Sequence, residues 1–534
     1  MTKERINIQR IHEATMELVE KAGMKFHHPE AVEILKAHGI RMEGNVAHFT
    51  EEQLMYWVRK APATFKIYAR NPKYDMVIGG DRVNCAPAYG SPFISDQDGK
   101  TRDATIEDYV KFTKLFHMNQ NFDMNGGIIC MPDDVPVDNA TLLMFYAAFT
   151  HSDKCMFAGS GKREQLEAMF EMAKAAYGSE EDLIAYPRFT TIVNVNTPLQ
   201  FAEGMTETLM TFVKYGQPII VAACDMAGTT APITLAGMMT LTNAEVLCTI
   251  ALAEMIRPGT PVIYGSQSTG SNLRNGAITS GSPEGAIAYK YAAKLAKYYG
   301  LPCRGGGSVS DAKVVDAQAG YESMLTFMVC SQSEMNLIVH AAGILDGYNC
   351  ISFEKLMLDF QVIDYVKRYL KDIESDGDRI PLELMISQGQ SGQYLTEEHT
   401  LDYCREEPLD PFLSVSGPCS DPKNQFGINI DKAIAASLEK YKMPDNDPAV
   451  LEPRRVTRVG KAWTLRCWIK SKHYKQSDES ASSHRGRLIR SHMQGMNKEK
   501  EAVGYGVNRK KTVADAGNCL FIIRYHGICT LSPF

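Results

Sequence analysis

The chain has 534 residues, of which 44% are apolar and 22% are charged, and its formal net charge is −6. These fractions are ordinary for a globular protein, and the length allows one domain of about 250 residues with large additions. The acidic balance argues against nucleic-acid binding. No apolar run reaches the roughly 20 residues of a membrane-spanning helix, so no membrane association is expected.

The N-terminus is charged and helix-patterned, without the apolar stretch of a signal peptide, so we expect a cytoplasmic protein. Thirteen cysteines are scattered along the chain, and no CxxC or CxxxC spacing occurs. We interpret them as buried, reduced thiols and predict neither a disulfide framework nor a metal site. Cys224 and Cys303 lie near strand ends, where a reactive thiolate is possible, but no evident base lies beside them in the sequence.

Residues 1–80 are predicted to form two or three helices followed by a short hairpin. Thr50 is a suitable N-cap for the last of these helices, and Gly23 and Gly39 are suitable terminators of the earlier ones. The helical segment could cover the base of the domain that follows, or form a dimer surface.

Eight apolar, β-rich runs alternate with amphipathic helices over residues 81–375. The runs are 85–95, 122–130, 154–160, 188–196, 218–225, 261–267, 302–308 and 335–343. Helical periodicity is clearest over 105–117, 163–177, 243–256, 284–299, 312–333 and 353–374. Eight such repeats predict an α/β protein with a (β/α)8 TIM barrel, whose active site lies at the C-terminal ends of the strands.

Residues 376–453 are expected to form a C-terminal helical extension, with helices over 381–388 and 431–441. Residues 454–534 contain 17 Lys and Arg against 5 Asp and Glu, and lack a sustained helix or strand period. We predict a basic, poorly ordered tail without a catalytic role. Binding to an acidic partner and a frame-shifted terminus are alternative interpretations of this segment.

Polar and aromatic residues at five strand ends are the candidate site residues. Tyr89 follows the first strand and offers an aromatic face to a cation. Asn194 ends the fourth strand, Asp225 the fifth and Gln267 the sixth. Asp225 closes an apolar strand, where a carboxylate needs a partner or a polar cavity. His340 ends the eighth strand, where a structural and a catalytic histidine are about equally expected.

Three glycines, Gly305, Gly306 and Gly307, follow the start of the seventh strand. Such a run lets a bulky ligand approach the backbone. A phosphate site is disfavoured, because neither a GxGxxG nor a P-loop pattern occurs. HExxH and GxSxG motifs are also absent. The residues by themselves therefore predict a barrel enzyme but do not define its reaction.

Several segments resemble the trimethylamine methyltransferase superfamily. They are YARNP at 68–72, APAYGSPF at 86–93, TIEDY at 105–109, GSPEGA at 281–286 and GGGSVSDAKVVDAQAGYE at 305–322. The resemblance extends to about Glu452 and implies a TIM barrel that moves a methyl group from a methylated amine to the cobalt of a separate corrinoid protein. The founding members carry pyrrolysine at the barrel mouth. This chain has standard residues only, and the equivalent position falls near His340.

The resemblance is therefore to the non-pyrrolysine branch, which implies a quaternary amine such as glycine betaine, proline betaine or carnitine as substrate. The implied cofactor is a corrinoid (cobalamin) carried by the partner, with none tightly bound by this chain. Trimethylamine or another methylated amine is the first alternative substrate. A TIM-barrel lyase or metal-dependent hydrolase, and a binding or scaffold protein without catalysis, are further alternatives.

The resemblance also implies roles for the candidate residues. Displacement from a quaternary ammonium needs no general base, so positioning would dominate. Tyr89 would hold the methylammonium group and Asp225 would supply a counter-charge. Asn194, Gln267, His340 and the backbone of the three glycines would bind a substrate carboxylate, and the glycines would leave room for the corrin ring. His340 and Asp225 are the candidate catalytic residues, and a homo-oligomer is expected.

Overall fold

The computed structural model describes residues 3–417 and 424–445. Its centre is a parallel sheet of eight strands, one from each predicted run. The strands are β1 Asn84–Cys85, β2 Met124–Gly126, β3 Cys155–Phe157, β4 Phe189–Asn194, β5 Ile219–Ala223, β6 Val262–Ser266, β7 Cys303–Gly306 and β8 Leu337–Val339. β8 pairs with β1, and a parallel bridge between Cys85 and Phe122 closes the circle. The predicted TIM barrel is confirmed.

A helix follows each barrel strand on the outside. The barrel helices are α1 Ile106–Met118, α2 Val137–His151, α3 Arg163–Tyr177, α4 Glu203–Lys214, α5 Leu235–Ile256, α6 Pro283–Tyr298, α7 Ala317–Gln332 and α8 Phe353–Leu370. A further short helix, Glu180–Ala185, follows α3. The predicted starts of α5 at 243 and α7 at 312 are wrong. α7 begins later because the Asp316 carboxylate caps it by accepting a hydrogen bond from the amide of Ala319 at 3.0 Å.

The N-terminal segment has three helices, Lys3–Lys21, Pro29–Ala37 and Glu51–Val58. Thr50 caps the third, as predicted, by accepting from the amide of Gln53 at 3.2 Å. A small sheet, which the sequence did not suggest, lies between them. Its strands are Met24–Phe26, Arg41–Glu43, Val46–His48 and Gln200–Phe201. The helices pack on α5 rather than across the base of the barrel.

This packing explains why α5 is apolar on all sides. By length and composition, this helix of 22 residues could cross a bilayer. The prediction that the chain has no segment of this kind is therefore wrong. However, 78% of its most apolar window is buried within the protein. One face covers strands β5 and β6, and the opposite face receives the N-terminal helices. Apolar periodicity fails in a helix that is covered all round.

The predicted hairpin, formed by Thr64–Ile67 and Met76–Gly79, closes the N-terminal end of the barrel. Its side chains Ile67, Met76 and Ile78 join the inward-facing barrel residues in one buried cluster. The Cys155 thiol at the start of β3 donates to the carbonyl of Ile67 at 3.3 Å. The base of the barrel is therefore sealed by the hairpin.

Two small sheets lie on the loops around the opposite end of the barrel. One contains Phe93–Ser95, Thr101–Asp103, Ile344–Leu345 and Cys350–Ile351, and the other contains Met226–Ala227, Thr269–Asn272 and Ala277–Thr279. The C-terminal extension has helices Leu382–Gln388, Glu398–Tyr403 and Phe426–Lys440, the last of which packs on α8 and α1. Residues 454–534, and the predictions made for them, lie outside the described residues.

Candidate active site

Side chains alternate along each barrel strand, so the interior apolar layer fixes which residues face the mouth. Ile192, Ala222 and Ile263 lie in the interior cluster. Asn194 and Cys224 lie two positions further along, and Gln267 lies four positions beyond Ile263, so all three face inward at the C-terminal ends of β4, β5 and β6. Arg304 pairs in register with Gly265 on one side and Leu337 on the other, so it also faces the interior.

Arg304 is the residue that dominates the electrostatics of this end. It is 2% exposed, and one guanidinium nitrogen donates to the carbonyl of Ser266 at 3.4 Å. No acidic side chain in the described part of the chain forms an ion pair with it, and its Nε has no hydrogen-bond partner there. Burial lowers the pKa of Arg304 from its ordinary value. A buried cation without an anion is costly, which indicates that a ligand anion completes the site.

His340 lies beside this cation in an unusual backbone conformation. Its φ is 58°, a left-handed value that non-glycine residues rarely adopt, and such strain is concentrated at functional sites. The Tyr89 backbone amide donates to His340 Nδ1 at 3.2 Å. Burial and the Arg304 charge hold the pKa of His340 well below its usual range. The imidazole is therefore neutral with its proton on Nε2, a hydrogen-bond donor rather than a base at neutral pH.

A strained turn brings a tyrosine to the same place. Asp346, Gly347 and Tyr348 have φ values of 52°, 56° and 75°, all left-handed. The amide of Asp346 donates to the carbonyl of Ala312 at 2.9 Å, and that of Gly347 donates to Ser310 at 3.2 Å, which fixes the turn to the loop after β7. The Tyr348 ring lies 4.9 Å from the His340 ring.

The Tyr348 hydroxyl belongs to a small polar network. It accepts a hydrogen bond from the Gln267 amide nitrogen and lies 3.3 Å from the hydroxyl of Tyr289, a residue of α6. The same Gln267 nitrogen donates to Tyr289 at 2.5 Å, whereas Gln267 Oε1 has no partner among the described residues. Burial raises the pKa of Tyr348 well above its ordinary value, so its phenol stays neutral and can donate to a ligand.

The three glycines are buried and do not leave the space for a corrin ring that was predicted. A Cβ at Gly306 would lie 2.6 Å from Gln267 Nε2 and 2.6 Å from the Tyr289 hydroxyl. At Gly307 it would meet the backbone of Ala341 at 2.7 Å, and at Gly305 the side chain of Met335 at 2.7 Å. The space that the glycines leave is filled by protein and gives no room for a corrin ring. It lets Tyr289 reach the mouth from an outer helix.

Tyr89 lies at the rim, as predicted, and has an aromatic neighbour. It is half-buried, and its ring centroid is 5.1 Å from that of Phe157 at the end of β3. The Tyr89 hydroxyl accepts from the amide of Ser160 at 3.4 Å, which fixes the ring. The backbone contact to His340 links this aromatic pair to the polar network. The mouth therefore has an aromatic part beside a cationic, hydrogen-bonding part.

The structure places Asp225 outside the mouth, so the counter-charge role predicted for it does not fit its position. Its carboxylate points towards α5, where it accepts from the Thr242 hydroxyl at 2.5 Å and from that of Thr197. Burial raises the pKa of Asp225 to about 6. Burial and the nearby Asp225 raise the pKa of Glu245 on α5 well above its usual value, so the pair retains a proton.

The structure thus brings Tyr89, Gln267 and His340 into one network and places Asn194 on the inner face of the same mouth. Asp225 lies outside the mouth, and its carboxylate faces α5. Sequence reasoning missed four residues of the site, which are Phe157, Tyr289, Arg304 and Tyr348. A signal existed for Arg304, because a charge within an apolar and glycine-rich strand needs a reason. No comparable signal marks Tyr348, whose position depends on the turn.

Fold and site together define a barrel enzyme whose pocket combines a buried, unpaired cation with an aromatic pair. Comparisons with known proteins give the family. The model of the family "Trimethylamine methyltransferase (MTTB)" matches residues 1–452. The chain belongs to this family and is a methyltransferase.

Three curated relatives illustrate the range of the family. The glycine betaine methyltransferase of Desulfitobacterium hafniense (strain Y51) is 39% identical over 407 residues, which are 76% of this chain and 85% of that protein. The trimethylamine methyltransferase of Desulfitobacterium hafniense (strain DSM 10664 / DCB-2) is 29% identical, with 74% and 80% covered. The proline betaine:corrinoid methyltransferase of Eubacterium limosum is 28% identical, with 82% and 93% covered.

Proposed function

We propose that this enzyme transfers a methyl group from a small zwitterionic quaternary amine, of the glycine betaine type, to the Co(I) of a corrinoid protein. The observation that carries the substrate class is Arg304, a buried guanidinium without a carboxylate partner among the described residues. The similarity to a glycine betaine methyltransferase supports the same class. Trimethylamine has no carboxylate that could pair with this guanidinium.

A substrate carboxylate would complete the polar part of the pocket. The guanidinium presents a planar set of donors that matches a carboxylate, and His340 Nε2–H and the Tyr348 hydroxyl are neutral donors beside it. The buried Nε of Arg304, which has no partner among the described residues, would gain one. The amide of Asn194 is a further candidate donor at the end of β4.

The trimethylammonium group would lie against the aromatic rings of Tyr89 and Phe157. Each such face contributes about 0.5–2 kcal/mol to the binding of a cation, more as water is excluded. The aromatic pair and the guanidinium thus divide the pocket into two parts, as a zwitterion requires.

The transfer itself needs little proton chemistry from the enzyme. As the Co(I) of the acceptor attacks a methyl carbon, the C–N bond breaks and its electron pair stays on nitrogen. The amine leaves neutral, so no acid or base is required. A neutral His340 is consistent with this reaction. The work of the pocket is to hold the methyl group in line and to exclude water.

The acceptor protein must reach the mouth, and an apolar contact on the rim is suited to it. Ile233 is 59% exposed and Leu273 is 65% exposed, in the loops after β5 and β6. Their side chains meet over Gly228, where a Cβ would lie 2.8 and 2.7 Å from them. Large apolar side chains exposed together indicate an interaction surface. We assign this rim contact to the corrinoid-carrying partner.

The test is a spectroscopic assay of Co(I) consumption with the corrinoid protein and a panel of amines. We expect methyl-Co(III) formation with glycine betaine, and little with choline or trimethylamine, which lack a carboxylate. Equal rates with choline and glycine betaine would contradict recognition through Arg304. Silence across the panel, with free and protein-bound corrinoid, would contradict a quaternary amine as substrate.

A further inference from the structure

Cys224 is a thiol that the proposed reaction does not use, although it faces the pocket. It directly follows β5 and has the inward register of Ala222. Cys224 and Cys404 are the cysteines among the described residues that are not buried. The buried ones are Cys85, Cys130, Cys155, Cys248, Cys303, Cys330 and Cys350. Cys404 lies in the C-terminal extension, away from the barrel mouth.

Cys224 lies beside a buried cation and a backbone carbonyl. Its thiol lies 3.7 Å from the carbonyl oxygen of Gln267, and it interacts electrostatically with the Arg304 guanidinium. The guanidinium has no acidic partner within the described ranges, so its charge acts on the sulfur without compensation by a carboxylate. A neighbouring cation stabilises the thiolate, which is the nucleophilic form of cysteine.

Two polar atoms independently mark this space as a binding site. Arg304 Nε and Gln267 Oε1 belong to side chains that are 2% and 7% exposed, and neither atom has a hydrogen-bond partner in the described part of the chain. Both residues adjoin Cys224. A small molecule that binds between them would therefore lie next to the thiol.

We propose that Cys224 is a modification site through which small electrophiles, either alkylating agents or hydroperoxides, close the substrate pocket. With iodoacetamide, the thiolate forms an S–C bond and iodide leaves. With hydrogen peroxide, an S–O bond forms, the O–O bond breaks and hydroxide leaves, which gives a sulfenic acid. Either product occupies the space beside Arg304.

This proposal rests on the proposed function in one respect, namely that the amine substrate occupies the same pocket. Substrate and electrophile then exclude each other. The thiol of Cys404 is the internal control, because it is accessible but distant from the pocket. Inactivation of the enzyme by peroxide would then result from oxidation of Cys224 alone and not from oxidation of the protein in general.

The experiment treats the full-length protein with iodoacetamide under anaerobic conditions, with and without glycine betaine. Labelling of Cys224 and Cys404 is followed by peptide mass spectrometry, and residual activity is followed in parallel. We expect activity to fall in proportion to Cys224 labelling. We also expect glycine betaine to slow that labelling at least about tenfold, at saturation well above Kd, and to leave Cys404 unaffected. A second arm uses hydrogen peroxide and a sulfenic-acid probe.

Two variants complete the test. Cys404→Ser should be inactivated at the wild-type rate, whereas Cys224→Ser should resist. Labelling of Cys404 without labelling of Cys224 would overturn the proposal, and so would inactivation of Cys224→Ser at the wild-type rate. Cys224 labelling that inactivates the enzyme but is not slowed by glycine betaine would support the modification site and contradict the proposed substrate. Failure of the two proposals is therefore distinguishable, and the mass spectrum decides even if Cys224→Ser is inactive.

Discussion

Replacement of Arg304 by methionine should weaken the use of substrate without weakening the fold. Methionine is similar in length and fills irregular apolar space. The hydrogen bond from the guanidinium to the Ser266 carbonyl, at 3.4 Å, is long, so most of its donors are available to a ligand. A hydrogen bond to a charged group contributes about 1.5–3 kcal/mol, so we expect kcat/KM for glycine betaine to fall on the order of 100-fold.

The free energy of unfolding of Arg304→Met should be higher than that of the wild type or unchanged. Arg304 is buried without an anionic partner in the described structure, so its replacement removes a desolvated charge. Arg188→Met is the matched control. Arg188 lies just before β4, at the opposite end of the barrel, where its guanidinium donates to the carbonyl of Ala69 at 3.3 Å. That variant should keep the wild-type KM.

The assay is steady-state kinetics with glycine betaine and choline, together with urea unfolding of both variants. Choline shares the trimethylammonium group but has no carboxylate, so its poor turnover should not fall further in Arg304→Met. An unchanged KM for glycine betaine in a folded Arg304→Met would refute carboxylate recognition. A large loss of stability would refute the view that the cation lacks an internal partner.

Three further outcomes follow from the structure. Glu245→Gln should be more stable than wild type at pH 8, by about 1–3 kcal/mol, and the difference should vanish below about pH 4, where the carboxyl is protonated in both the folded and the unfolded state. The pKa of Asp225 is raised to about 6 and that of Glu245 is raised well above its ordinary value, so the folded state binds protons more tightly than the unfolded state. The stability of the wild type therefore falls as the pH rises. Urea unfolding that gives the same stability difference at high and low pH would count against this. Gly306→Ala should lose activity and about 1–3 kcal/mol of stability, because its Cβ clashes with Gln267 and Tyr289. Gly320→Ala is the control, because a Cβ at this position inside α7 meets nothing within 4 Å, and its stability should rise by up to about 1 kcal/mol. Thermal melting of the two variants tests this pair of predictions. A double change, Ile233→Asp with Leu273→Asp, should raise KM for the corrinoid protein about tenfold but leave methylation of free cob(I)alamin unchanged. Ile373 is 87% exposed just after α8, and Ile373→Asp should change neither value. A loss with the free acceptor in the double variant would exclude a docking role for the rim contact.

Element boundaries show where sequence patterns stop being sufficient. The pattern over 312–333 predicts one helix, yet residues before Ala317 form the mouth loop that holds the turn of Tyr348. The start of α5 was missed because a helix covered on all sides shows little apolar periodicity. Both errors arise from tertiary contacts that local composition does not encode.

The amino-acid pattern is sufficient to predict the barrel and to place the candidate site at one end of it. Parallel strands covered on both faces must be apolar along their length, and eight such runs alternating with helices leave few other folds. It also predicted that Tyr89, Gln267 and His340 lie at the mouth, because the fold places strand ends there. The amino-acid pattern did not predict which way the side chains at the strand ends point. A single register step turned Asp225 towards α5 and Arg304 into the pocket, since alternate residues of a strand face opposite sides. The charge at the mouth is therefore a cation, a property that depends on strand register and cannot be read from composition.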